Sequence, residues 1–282
     1  MKKASKLPLV SVIIPTRNSI RTIEEALKSI KSQTYPKIEI IIVDQFSSDN
    51  TLNIAKKFTN KIYKIKGDKF YSAPPVSRNL GAKNSKGKYL LHMDSDMQLS
   101  KKVVEECVNK LERNSNLLAL KIHEEDIGTG FWSRAKMLER KFYVGFDLIE
   151  AARFIRRNVF LKLNGYDEQL RSGEDWDLSQ RIEKIGKISD IENKIVHNLG
   201  KMNYIYQVKK KFNYGLTLNQ ILKKHNFTPS KDIAMIFRST YFKNPKLFIT
   251  DPIGTLGFII LRPSELIAYL IGIFWAKFFK TK

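Results

Sequence analysis

Residues 9–44 read LVSVIIPTRNSIRTIEEALKSIKSQTYPKIEIIIVD. Leu9–Ile14 and Ile38–Val43 are short runs of Ile, Val and Leu, as strands buried on both faces are. Between them, Thr22–Ser32 places Ile23, Ala26, Leu27 and Ile30 at helical spacing on one face. Thr22 and Glu25 have the spacing of a capping box, and Pro36 closes the connection. This is a strand–helix–strand unit, whose two strands must lie parallel.

The pattern continues outward. Lys61–Ile65, Tyr89–His92 and Leu117–Ile122 read as further strands, and Ser48–Phe58, Pro74–Ser85 and Lys101–Leu111 as helices. The alternation predicts an α/β fold, a Rossmann-like, mostly parallel sheet with helices on both faces and ligands at the carboxyl ends of its strands. Past residue 125 the rhythm changes. Phe131–Val144 reads as a basic helix, Ala151–Arg156 as a short strand, Asn164-Gly165-Tyr166 as a turn, Glu174–Ile185 as a helix and Lys187–His197 as strand-like.

The 282 residues are 43% hydrophobic, enough for a full core. Lys and Arg number 50 against 28 Asp and Glu, a net charge of +22. Such a bias implies an anionic partner: phosphorylated ligands, acidic lipid or nucleic acid. The single Cys107, on a predicted helix face, reads as a small core residue and one thiol forms no disulfide framework, so a reducing, cytoplasmic location is expected. Met1–Leu9 is basic but has no signal-peptide apolar region.

Residues 201–282 carry 14 Lys and Arg against 3 Asp and Glu, an excess of 11. Two apolar stretches, Ile253–Leu261 and Leu266–Trp275, are interrupted by Arg262, Pro263 and Glu265, and neither reaches the roughly 20 residues of a spanning helix. Packing on the domain and a re-entrant hairpin are open alternatives. Phe274, Trp275, Phe278 and Phe279 beside Lys277, Lys280 and Lys282 favour segments associating with an anionic membrane surface. The expected division is 1–200, the α/β ligand-binding domain, and 201–282, a basic, helical, partly apolar appendage.

Four segments carry chemistry. Tyr89–His92 leads into Asp94-Ser95-Asp96, two carboxylates one residue apart at a strand end. Such a pair can hold Mn²⁺ or Mg²⁺ against a diphosphate, because both cations prefer oxygen ligands. Pro15-Thr16-Arg17-Asn18 and Asp44 end the first two strands and open onto the same sheet edge. Asp44 could accept a base N–H or serve as a turn residue. Arg78 lies in the first turn of a predicted helix, where backbone N–H groups also favour anions. Glu174-Asp175-Trp176-Asp177 opens another helix. Its acidic residues could simply complement the helix dipole, or one could be a general base with a raised pKa. Trp176 could stack on an acceptor sugar or belong to the core.

In these segments the chain resembles the family 2 glycosyltransferases, inverting enzymes of the GT-A fold, over about residues 8–200. Val12–Asn18 looks like their first-strand motif, and Asp44-Gln-Phe-Ser-Ser-Asp49-Asn-Thr51 like their second-strand stretch. Arg78-Asn79 with Gly81-Ala82 resembles their R-N-x-G helix, Asp94-Ser95-Asp96 their metal-binding triplet, and Glu174-Asp175 their late acidic pair. The resemblance implies that Pro15, Thr16, Arg17, Asn18, Asp44, Arg78, Asp94 and Ser95 hold a UDP- or GDP-sugar, and that Asp94 and Asp96 hold a divalent metal. It makes Asp175, beside Glu174, the catalytic base. His197 matches a position that completes the metal site in some relatives; a structural histidine is the alternative. Gln45-Phe46 departs from the acidic or Asn-Gly pair common there. No Gln-x-x-Arg-Trp motif follows the acidic pair, which argues against a processive polymer synthase.

The implied acceptor is a lipid-linked saccharide at the cytoplasmic face of the membrane, with a polyprenyl phosphate, as in dolichyl-phosphate mannose synthase relatives, as the alternative. A nucleic-acid-binding protein is the reading from another class. It lacks zinc spacing or an aromatic RNA-binding motif, so no nucleic-acid partner is expected.

Overall fold

The structure, a computed structural model, describes residues 7–65, 74–143, 150–170, 172–225, 241 and 244–278, with 217–225 described by backbone alone. Val144, Phe279, Lys280 and Lys282 of the sequence reading lie outside these residues. The described residues group into two compact units: Met1–Glu124 with Glu150–Gln169 and Glu174–His197, and Glu125–Ile149 with Leu170–Gly173 and Asn198–Lys282.

The first unit is built on β1 (Val10–Thr16) and β2 (Ile38–Asp44), which pair in parallel from Val10↔Ile38 to Thr16↔Asp44. Their side chains alternate between two cores. Val10, Val12, Ile14, Ile40 and Ile42 join α1 (Ile23–Lys31) and α4 (Val103–Arg113). Ile13, Ile41 and Val43 meet the other face, with Ala82 of α3 (Pro74–Lys83), Phe160 of α6 (Arg157–Lys162) and Leu178 of α7 (Glu174–Glu183). Side chains that are apolar on both faces, apart from Ser11, Glu39 and the strand-end Thr16 and Asp44, therefore produce strands covered on both sides.

Adding β3 (Ile62–Lys64), β4 (Tyr89–His92), β6 (Leu117–Lys121), β8 (Ala152–Arg156) and β9 (Lys187–Asp190) gives a seven-stranded sheet, ordered β3-β2-β1-β4-β8-β6-β9. Of its pairings, only those of β8 with β4 and β6 are antiparallel. The mostly parallel α/β sheet read from the sequence is present. A second sheet, β5-β10-β7, uses β5 (Met97–Leu99), β7 (Glu124–Thr129) and β10 (Ile195–Lys201).

Three local expectations are corrected. Thr22 makes no side-chain cap; the Ser19 carbonyl takes the Thr22 and Ile23 amides, and Glu25 pairs with Lys28 at 2.9 Å. The single strand-like run 187–197 is two strands, because the Glu106 carboxylate captures the amides of Glu192 and Asn193 (2.8 and 3.0 Å) and holds a turn between them. The two apolar stretches near the C-terminus form one helix.

That helix belongs to the second unit, which comprises α5 (Phe131–Lys141), α8 (Tyr204–His225), α9 (Lys246–Thr250) and α10 (Pro252–Phe278). The charges that interrupt the apolar pattern are satisfied on its inner side: Arg262 meets Glu265 at 2.7 Å, and Glu265 meets Lys136 of α5 at 2.8 Å. Pro263 costs the Ile259 carbonyl its helical partner, while Ser264 donates to the Ile260 carbonyl at 2.8 Å. Beside this, Phe142, Tyr241, Phe248 and Phe258 pack ring against ring.

Candidate active site

The carboxyl ends of β1, β2 and β4 bring the strand-end motifs together. Thr16 and Asp44, both buried, are register partners, and the Gln45 amide donates to the Thr16 carbonyl at 2.8 Å. Pro15 is buried within β1. Asn18 takes the left-handed backbone region (φ 49°), which Asn tolerates, and its side-chain oxygen accepts the Ser48 amide at 2.8 Å. Asp44 accepts the Ser47 amide, and Asp49 accepts the Ile20 and Thr51 amides. The spacing of these polar residues thus produces a mutual lacing of two strand-end loops. Ser19 Oγ and Ser95 Oγ, 2.7 Å apart, tie that lacing to the Asp94–Asp96 segment. Gln45 is buried and donates to Ser77 at 2.8 Å, while Phe46 sits at φ 59° and packs into the core beneath.

Helix α3 supplies Arg78. The helix comes close enough because Gly81 has no Cβ; one there would overlap Ile13 of β1. Asn79 fixes its other side: the Asn79 side chain donates to the Tyr166 carbonyl (2.8 Å) and accepts its amide (2.9 Å). This closes the turn in which Asn164 and Gly165 have positive φ.

From Arg78 a chain of alternating charge runs through the first unit. Arg78 Nη1 meets Glu174 at 2.8 Å and Nη2 meets Asp94 at 2.6 Å. The second Asp94 oxygen lies 3.6 Å from Arg153 of β8, which donates to Glu124 at 2.8 Å. Glu124 lies 4.0 Å from one nitrogen of His197, whose other nitrogen is 3.5 Å from Asp96. His197 arrives there because β10 pairs it with Met97. Burial pushes the Asp94 carboxyl up, but Arg78 and Arg153 outweigh it and hold the group well below its usual range. Burial, then the same two guanidiniums, keep His92 on β4 neutral. Counting Asp175, five carboxylates lie about two guanidiniums; with Glu174 partly protonated, a net negative charge remains that suits a divalent cation.

Of the acidic residues opening α7, two are engaged. Glu174, 11% exposed at its side chain, is bound to Arg78; burial, then the neighbouring Asp175 charge, push it up to about 7. Asp177, fully buried, pairs with Arg181 at 2.7 Å. Asp175 is half-buried, and among the described residues it accepts only the Trp176 amide (2.8 Å). Its second carboxylate oxygen accepts no hydrogen bond among the described residues. Trp176 is half-buried beside it.

The family model described as glycosyl transferase family 2 matches residues 11–165. The chain belongs to that family. An uncharacterized glycosyltransferase of Rickettsia prowazekii is 30% identical over 204 residues, 67% of this chain and 63% of that protein. The poly(ribitol-phosphate) beta-N-acetylglucosaminyltransferase TarS of Staphylococcus aureus is 35% identical over 117 residues, 40% of this chain. This chain therefore spans a fifth of TarS and under two thirds of the Rickettsia protein. Among solved structures, the mannosyltransferase PcManGT from Pyrobaculum calidifontis in complex with GDP-Man and Mn²⁺ matches with a TM-score of 0.64 at 16% identity, covering 97% of this chain and 89% of that one. TarS 1–349 in complex with UDP-GlcNAc matches at 0.57 and 16%, covering 95% and 91%. At such identities these likenesses show the GT-A fold.

Within this glycosyltransferase family 2 chain, the geometry joins Arg78, Asp94 and Glu174 directly, and Asp96 with His197. Asp94 faces the arginines, whereas Asp96 faces the imidazole. Sequence reasoning missed Arg153 and Glu124. Arg153 carried a signal: a guanidinium between Ala152 and Phe154 in a buried strand needs a partner. Glu124 carried none that separates it from Glu125.

Proposed function

We propose that this chain transfers a sugar from a nucleotide-diphosphate sugar to an acceptor hydroxyl with inversion, and that Asp175 is the general base. The observation that carries the reading is the open Asp175 carboxylate at the head of α7, where Glu174, through Arg78, joins the helix to the strand-end Asp94. Thr16, Asp44 and Arg78 bind the nucleotide, with Pro15, Arg17, Asn18, Asp94 and Ser95 shaping its cleft. Trp176 lies on the acceptor side.

A divalent metal would be held by Asp96 and the His197 nitrogen that faces it, with Glu124 beside the other nitrogen to orient the ring; a carboxylate with an imidazole suits Mn²⁺ better than Mg²⁺. Bound there with Asp94 nearby, it would neutralise charge on the leaving diphosphate. The chain's own residues do the rest. Asp175 takes the proton of the acceptor hydroxyl as its oxygen bonds to the anomeric carbon. The bond from that carbon to the donor phosphate breaks on the opposite side, and the nucleoside diphosphate leaves with the electron pair. Arg78, buried, and Arg153, half-buried, are both held by carboxylates and favour negative charge beside Asp94. Glu174 positions Arg78.

The acceptor on this reading is a lipid-linked saccharide at the cytoplasmic face of the membrane, supported by the basic excess of residues 201–282 and the apolar length of α10. A panel of UDP- and GDP-sugars with Mn²⁺ tests the transfer itself. One donor is expected to be turned over and to raise the melting temperature, and excess EDTA to stop turnover. A chain inert to every donor, or fully active in EDTA, would overturn the reading.

A further inference from the structure

We infer that α10 lies flat in the surface of an anionic bilayer, its outward face among the acyl chains and its inner face docked on α5 and α8, without crossing the membrane. This rests on the membrane-face reading above and names the surface and orientation that it requires.

Length alone does not decide the matter. With 27 residues and a mean hydropathy of 1.7 over an 18-residue stretch, α10 is long and apolar enough to span. Its two faces decide. Leu256, Ile260, Ile267, Ile271, Phe274 and Phe278 are 43–60% exposed and recur at steps of 3, 4 and 7, which lines them along one side. The opposite side is small and close-packed: a Cβ on Gly257 would come within 2.9 Å of Ala135 in α5, and a Cβ on Gly272 would come within 3.1 Å of Gly215 in α8.

The buried ions argue against a span. Glu265, 1% exposed at mid-helix, is paired with Arg262 and with Lys136 of α5. A spanning α10 would carry all three charges to the bilayer centre, or part from α5 and leave them without their partners. Lying in the plane, the helix keeps these pairs on its protein side and gives lipid only its aliphatic and aromatic face.

Cations bracket that face. At its start, Ile253 shares an open cavity of about 600 Å³ with Phe131, Met137, Lys141 and Arg134, of which Arg134 is paired with Asp251 at 2.7 Å and Lys141 is the cation facing the cavity. At its end, Lys277 Nζ sits 5.5 Å over the Phe278 ring. Apolar residues flanked by cations match acyl chains beneath anionic phosphates. A second copy of the chain is disfavoured as the occupant, since it would bring one +22 surface against another.

The test uses the full chain with single cysteines at Leu256, Ile267 or Phe274, each labelled with an environment-sensitive fluorophore; Cys107 is buried and stays in place as the unlabelled control. Vesicles of phosphatidylcholine, with or without phosphatidylglycerol, carry nitroxide quenchers at graded depths. All three labels should brighten on the anionic vesicles and report one shallow depth. A spanning helix would separate the labels at 256 and 274 by about 27 Å along its axis, and that spread would overturn the in-plane orientation while sparing membrane binding. No brightening on either vesicle would overturn both. Ile267→Glu and Phe274→Glu should each weaken vesicle binding at least tenfold and leave donor hydrolysis in solution unchanged. Unweakened binding would place the contact elsewhere, and a dimer in light scattering dispersed by these changes would assign the face to a second copy. Donor turnover without vesicles reads the glycosyl-transfer proposal separately.

Discussion

Replacing Arg78 by Met keeps the length of the side chain and removes the guanidinium that joins Asp94 to Glu174. The two losses differ. Asp94 keeps Arg153 at 3.6 Å and a third of its side-chain surface in water, so its share is about 1 kcal/mol, as for an exposed pair. Glu174 is 11% exposed and loses its only ion-pair partner among the described residues, a change that lies near the 3–5 kcal/mol range for a broken buried pair. Its elevated pKa limits this, because the carboxyl can take a proton, so about 2–3 kcal/mol is expected at pH 8. In the native protein Glu174 is held at about 7 against an ordinary 4.5. The folded state therefore binds a proton that the unfolded chain releases between those values, and this group's contribution to stability falls as pH rises through that window. Losing Arg78 pushes the folded value higher still, so the penalty grows above pH 7. Below pH 6 Glu174 is already protonated and less is lost. Denaturation followed through Trp176, with Trp132 and Trp275 replaced by Phe, should show about 3–4 kcal/mol at pH 8 and roughly 1–2 kcal/mol at pH 5.5. A loss under about 1 kcal/mol, or one equal at both pH values, would refute the reasoning.

Other changes probe the frame and the metal site. Gly81→Ala sets a methyl against Ile13 and within 3.3 Å of Val43, and should cost about 1–3 kcal/mol in denaturation while weakening donor binding through a displaced Arg78. Asn79→Ala strips the Tyr166 amide and carbonyl of their partners and should cost about 1–3 kcal/mol, with no change if those groups find others. His197→Ala should raise the Mn²⁺ concentration needed for half-maximal turnover at least about tenfold, a loss that outer-shell partners alone can cause; an unchanged requirement removes His197 from the metal site.

The sheet was legible because residues 9–44 leave little choice: seven-residue strands with apolar residues at both odd and even positions are buried on both faces. What escaped depended on partners far away in the chain. β7 reads Glu-Glu-Asp-Ile-Gly-Thr, a composition poor in strand formers, and is a strand by virtue of its neighbour. The break between β9 and β10 is made by Glu106, some 86 residues upstream. Arg262 and Glu265 looked like interruptions of an apolar run because Lys136, which accommodates Glu265, lies on another helix. The site divides in the same way. Thr16, Asp44, Arg78 and Asp94 sit at strand ends and a helix start, where local pattern predicts them. Arg153 and Glu124 have meaning only through each other and Asp94. Of the acidic group on α7, the residue with the raised pKa is Glu174, whereas Asp175 is set apart by what does not hold it.

The central claim is that Asp175 takes the acceptor proton at a site built to hold a nucleotide-sugar. Asp175→Asn keeps the shape and the Trp176 hydrogen-bond acceptor and removes the base. Measured with the donor that the panel identifies, the variant should bind that donor within about threefold of the native protein while turnover to acceptor falls by 10²–10⁴, the range for losing a general base. Turnover surviving within about tenfold would contradict the account and assign the proton to another residue.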